Sequence, residues 1–85
     1  FRLRVLNLGG NQIVEISPAI GELHGLQALT LCENRLPSLP ASISRLQNLE
    51  TLLLHGNLLT TLPPGIVKLK GLREVGMSSQ HVLTP

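Results

Sequence analysis

The chain has 85 residues, a net charge of +2 and 42% apolar residues, yet a single aromatic side chain, Phe1. Twenty residues are leucine, far above ordinary globular usage, so the core is aliphatic and a disordered polar tail is excluded. The lone Cys32 cannot form an internal disulfide and favours a reducing cytoplasmic or nuclear setting. The longest apolar run, Leu52 to Leu54, falls far short of the roughly 20 residues of a membrane span. The basic excess comes without a Lys/Arg run or stacking aromatics, which argues against nucleic acid as a partner.

In chain order, the first predicted element is a short strand at Leu6-x-Leu8. Its period of two puts both leucines on one face and Asn7 on the other. Leu3 precedes it, and Asn11, Ile13, Ile16, Ile20 and Leu23 follow. Every one of these positions recurs 23 residues on, as Leu26, Leu29, Leu31, Asn34, Leu36, Leu39, Ile43 and Leu46 with Leu49 opening the next unit. The third unit continues with Leu52, Leu54, Asn57, Leu59, Leu62, Ile66 and Leu69, and a partial fourth with Leu72, Val75, Met77 and Val82. The repeats run over about 3–25, 26–48, 49–71 and 72–85, without insertion or deletion. Equivalent strands are expected to stack as a parallel sheet at about 4.8 Å per unit. The stretch from Pro40 to Leu46, with Ile43 and Leu46 three apart, reads as a short helical or 3₁₀ return, its proline giving up a donor that would be orphaned there. Returns bulkier than the strands curve the stack, with the sheet inside. The amides of Asn11, Asn34 and Asn57 carry both donors and an acceptor, and are expected to serve backbone groups of their own turn and of the next repeat.

The pattern Leu-x-x-Leu-x-Leu-x-x-Asn-x-Leu-x-x-Leu-Pro-x-x-Ile-x-x-Leu resembles the leucine-rich repeat family along the whole chain. The pairs Leu39-Pro40 and Leu62-Pro63 resemble its 23-residue intracellular class. The resemblance implies an α/β solenoid, a right-handed superhelix of β-α or β-3₁₀ units with a short parallel sheet on the concave side. The fourth unit departs from the pattern, with Gly76 in its strand and Gln80 where Asn is expected, so ladder bonding is in doubt there. Bare ends at Phe1 and Pro85 suggest a piece of a longer array.

The resemblance also implies that the variable strand positions face the concave side and bind a partner protein. These are Asn7, Thr30, Cys32, Thr51, Leu53, His55 and Glu74, with Leu53 the expected apolar anchor and Asn11, Asn34 and Asn57 a structural ladder. Four strands of about five residues give a flat footprint of roughly 300 Å², against the about 800 Å² that a standard interface takes from each partner. The expected role is therefore a weakly binding, non-enzymatic interaction module in intracellular signalling or scaffolding, with no cofactor and no small-molecule substrate. Two alternatives stand beside it: the recognition arm of a larger regulator such as a ubiquitin-ligase substrate receptor, and a substrate-selecting segment of an enzyme whose catalytic domain lies elsewhere. The sharpest chemical alternative is Cys32 beside His55, same-column neighbours that suit a nucleophile and base or half of a metal site. No orienting carboxylate shares their column and only Glu33 is near enough to be a further ligand, so the expectation is neither catalysis nor metal. Gly9-Gly10 precedes no phosphate-loop lysine and reads as a turn.

Overall fold

The computed structural model describes residues 3–77. Four three-residue strands, β1 (Val5–Asn7), β2 (Ala28–Thr30), β3 (Thr51–Leu53) and β4 (Glu74–Gly76), form one parallel sheet in chain order. The register equals the repeat: Leu6 pairs with Leu29, Leu29 with Leu52, and Leu52 with Val75. The strand at Gly76 forms in spite of its glycine, and the Leu54 N–H donates to the Gly76 carbonyl at 2.7 Å. Gln80, Val82, His81 and Phe1 lie outside the described residues.

The returns are 3₁₀ turns of five residues: η1 (Pro18–Glu22), η2 (Ala41–Arg45) and η3 (Pro64–Lys68). The Ile20 N–H reaches the Ser17 carbonyl, Ile43 the Pro40 carbonyl and Ile66 the Pro63 carbonyl, at 3.0 to 3.1 Å. That three-residue closure is the 3₁₀ pattern. Pro18 and Pro64 stand at turn starts, where no N–H is required, and the Ser17 hydroxyl caps η1 by accepting from the Ala19 N–H at 3.1 Å. Adjacent turns stack closely because small residues meet there. A Cβ on Gly21 would sit 2.7 Å from the Ser42 carbonyl oxygen, and one on Gly65 2.9 Å from Ser44.

The core lies between sheet and turns. Leu26, Leu29, Leu31, Leu36, Ile43, Leu46, Leu49 and Leu52 are completely buried. Each such side chain contributes roughly 1.5–3 kcal/mol relative to exposure. Most of their first-unit equivalents, Leu3, Leu6, Leu8, Ile13 and Leu23, are only half-buried, since no earlier unit among the described residues covers them. Aromatic rings are not needed in such a core, because each site is filled by the same aliphatic shape one unit on.

The asparagines pin the exit from each strand, and in the direction opposite to the one expected. Asn34 is buried, and its Oδ1 accepts the Asn11 N–H at 3.0 Å and the Ile13 N–H at 2.9 Å. Its Nδ2 donates to the carbonyls of Leu8, Leu31 and Cys32. Asn57 repeats the arrangement, accepting from the Leu36 N–H and donating to the Leu31 and Leu54 carbonyls. Each amide therefore serves its own turn and the preceding repeat, not the next one. Asn11 is exposed and donates only within its own unit, to the Leu8 and Gly9 carbonyls.

Candidate protein-binding face

Alternation along each strand turns one residue into the core and its neighbours outward. On the outward side Asn7 and Glu74 are exposed, while Thr30, Thr51 and Leu53 are half-buried. The Asn7 side-chain Oδ1 accepts the Gly9 N–H at 3.0 Å, which ties this side chain back against the strand exit. Leu53 leans over Gly76: its Cδ2 lies 3.1 Å from the point a Gly76 Cβ would occupy. The missing side chain at Gly76 thus gives Leu53 a seat on the neighbouring strand. Leu53 is not the only large apolar group on this face, however, because Val5 in β1 is 62% exposed. The apolar contribution is split between β1 and β3.

Cys32 departs from the expectation of an exposed column. It is 8% exposed, and its Sγ lies 3.3 Å from Nδ1 of the exposed His55. The same place past β3 leaves His55 exposed, so the physical reason is the cover that the His55 ring supplies to Cys32 from the following repeat. Its carbonyl is taken by the Gly10 N–H from the preceding repeat, and the His55 ring meets it from the following one. Burial pushes the Cys32 thiol above its ordinary value, outweighing the hydrogen bonds that favour the thiolate, and the Glu33 charge adds to the rise. A nucleophilic cysteine needs the opposite shift, so this pair is not poised for catalysis.

Glu33 holds a feature that column-by-column comparison missed. Gly10, Glu33 and Gly56 occupy the same place in three repeats, and all three have left-handed backbones, with φ of 73°, 57° and 80°. Glycine adopts that conformation freely, whereas other residues incur a cost. The glycines on either side were the available signal. The Glu33 carboxylate folds over Gly56, where a Cβ would come 2.5 Å from Oε2, and the Glu33 N–H donates to the His55 carbonyl at 2.9 Å. Ser42 and Asn48 also escaped notice, because their columns do not repeat. The Ser42 hydroxyl donates to the Pro18 carbonyl at 2.6 Å and the Asn48 amide to the His24 carbonyl at 2.8 Å, adding cross-repeat bonds away from the sheet.

A sheet of three-residue strands, a 3₁₀ return in each of the first three units and the Asn34 and Asn57 amides bonding one unit to the last together define a leucine-rich solenoid, an architecture of interaction repeats. The chain belongs to the leucine-rich repeat family: the family described as leucine-rich repeat region matches residues 1–83. Among solved structures, it is similar to a leucine-rich repeat protein of Leptospira interrogans, with a TM-score of 0.83 and 37% identity over 89% of this chain. The chain spans only 19% of that protein's length. No curated protein matches it significantly. Among the described residues no helix is long and apolar enough to cross a membrane.

Proposed function

We infer that this segment is a non-enzymatic docking surface for a partner protein, used through the outward side of its sheet. The observation that carries the reading is the contrast between the sheet's two sides. Paired inward positions repeat one shape, as in Leu6, Leu29, Leu52 and Val75, while the adjacent outward positions read Val5, Ala28, Thr51 and Glu74. Solenoid folding requires the first set to be uniform and leaves the second free to encode a partner. With strands of three residues, a footprint of roughly 200 Å² supports weak binding by itself or a share in a larger surface. The unpaired thiol of Cys32 suits an intracellular signalling or scaffolding role in a reducing compartment. The small share of the Leptospira protein that the chain spans favours a second form of the same reading, a recognition arm within a larger regulator such as a ubiquitin-ligase substrate receptor. The same face would select substrate for a catalytic domain outside these residues.

The test is site-specific photo-crosslinking in cells. A crosslinker at Thr51, on the sheet, is expected to capture a discrete protein, and one at Val67, 82% exposed on η3, is not. Capture of the same protein from Val67 and not from Thr51 would move the docking surface to the turn side.

A further inference from the structure

We propose, resting on the sheet reading above, that Glu33 sets the charge of the partner: its carboxylate meets a basic side chain there, one repeat before the apolar contact at Leu53. The ladder between the second and third units runs on beyond β2, from the Leu31 N–H to the Leu53 carbonyl at 2.8 Å and from the Glu33 N–H to the His55 carbonyl at 2.9 Å. Glu33 therefore stands on the rim of the sheet that carries Leu53, and it is exposed. In the units before and after, the same place is held by Gly10 and Gly56. Glu33 raises a charge where both neighbours leave bare backbone.

The fold does not depend on that carboxylate. Glycine makes the same left-handed turn in the adjoining units without strain. The turn carbonyls are held by the Asn34 and Asn57 amides. A side chain that strains its own backbone and leaves the turn bonds to others marks a functional position. The carboxylate also has a prepared seat, since a Cβ on Gly56 would fall 2.5 Å from Oε2 and 2.7 Å from the carboxyl carbon. Gly76 seats Leu53 in the same way, with Cδ2 3.1 Å from the point of its absent Cβ. An anion and an aliphatic group are thus each laid over a glycine of the following unit. Their complement is a partner segment with Arg or Lys beside an aliphatic residue, Arg being able to fork onto the carboxylate.

The probe is a library of random heptapeptides displayed on phage and selected on the full chain, with the fold of each variant checked by circular dichroism. Peptides selected on the native chain are expected to carry Arg or Lys next to an aliphatic residue. Resynthesised, they should bind Glu33→Gln about two- to fivefold more weakly, and the gap should close in 1 M salt, where screening acts over about 3 Å. Glu33→Gly should lose the same affinity while its urea midpoint stays at or above the native one, a combination that a structural role for the carboxylate would not give. Leu53→Glu separates this inference from the reading beneath it. Equal binding of the peptides by Leu53→Glu and native chains would remove the sheet reading, and the role of Glu33 with it. Loss in Leu53→Glu with native affinity in Glu33→Gln would overturn the role of Glu33 alone. Selected peptides without an excess of Arg and Lys, or a Glu33→Gly midpoint below the native one, would also overturn it.

Discussion

Asn34 holds Asn11 from one repeat further along the chain: its Oδ1 accepts the Asn11 backbone N–H at 3.0 Å across 23 residues of sequence. The same oxygen takes the Ile13 N–H, and the amide nitrogen reaches three carbonyls. Two asparagines alike in sequence context therefore differ in what depends on them. Asn34→Ala strips partners from buried groups in two repeats and should destabilise by about 3 kcal/mol, given roughly 1–3 kcal/mol for each buried group left unpaired. Asn11→Ala, at an exposed position with bonds confined to its own turn, should cost under about 1 kcal/mol. Urea midpoints of the two variants check the difference, and equal losses would mean the ladder does not run backward along the chain.

Leu52 and Leu6 occupy one column, one of them fully enclosed and the other half-buried at the first unit. Leu52→Ala should cost roughly 2–5 kcal/mol, the range for emptying a closed aliphatic site. Leu6→Ala should cost clearly less, because the site around it is already partly open. Thermal or chemical denaturation of the pair gives the comparison.

The left-handed column separates backbone strain from crowding. Nothing lies within 4 Å of a Cβ placed on Gly10, whereas a Cβ on Gly56 meets the Glu33 carboxylate and backbone nitrogen. Gly10→Ala should cost only the conformational term, about 1–2 kcal/mol, and Gly56→Ala more than that. Adding Glu33→Gly to Gly56→Ala should recover part of the excess, and failure to do so would place the clash elsewhere.

Cys32 ties pH to stability. Its thiol is raised in the folded chain by burial, so the unfolded chain loses the proton first. Its contribution is fully present below the unfolded thiol pKa of about 8.5 and declines as pH rises through that value towards the folded one. The melting temperature should therefore fall at alkaline pH in the native chain and fall less in Cys32→Ala. Alkylation of Cys32 at neutral pH should be markedly slower in the folded chain than in urea.

How much of this was legible beforehand differs from element to element. The strands and core were, because Leu6, Leu29 and Leu52 share both a period of two and a spacing of 23, and only one packing satisfies both. The choice between helix and 3₁₀ at Pro40 to Leu46 was not legible, since three-residue spacing of Ile43 and Leu46 suits either. The ladder's direction was also hidden: an asparagine amide donates and accepts equally well forward or backward, and the inward turn after each strand decides. Cys32 misled because alternation predicts which way a residue faces and not what lies over it, and here the His55 ring of the next repeat does. Leu53 was read as an anchor without the seat that Gly76 provides, and Val5 was not among the residues expected on the concave face.

The central claim is that the sheet, not the turn side, meets a partner protein. It is tested most directly by measuring the affinity of the captured partner for three chains: native, Leu53→Glu and Val67→Glu. Leu53 lies half-buried over Gly76 on the sheet, and Val67 is exposed on η3. A new charge at Leu53 should weaken binding by about tenfold or more, or roughly 1.4 kcal/mol, with the fold retained by circular dichroism, while Val67→Glu binds as the native chain does. Native-like binding by Leu53→Glu together with loss in Val67→Glu would contradict the account.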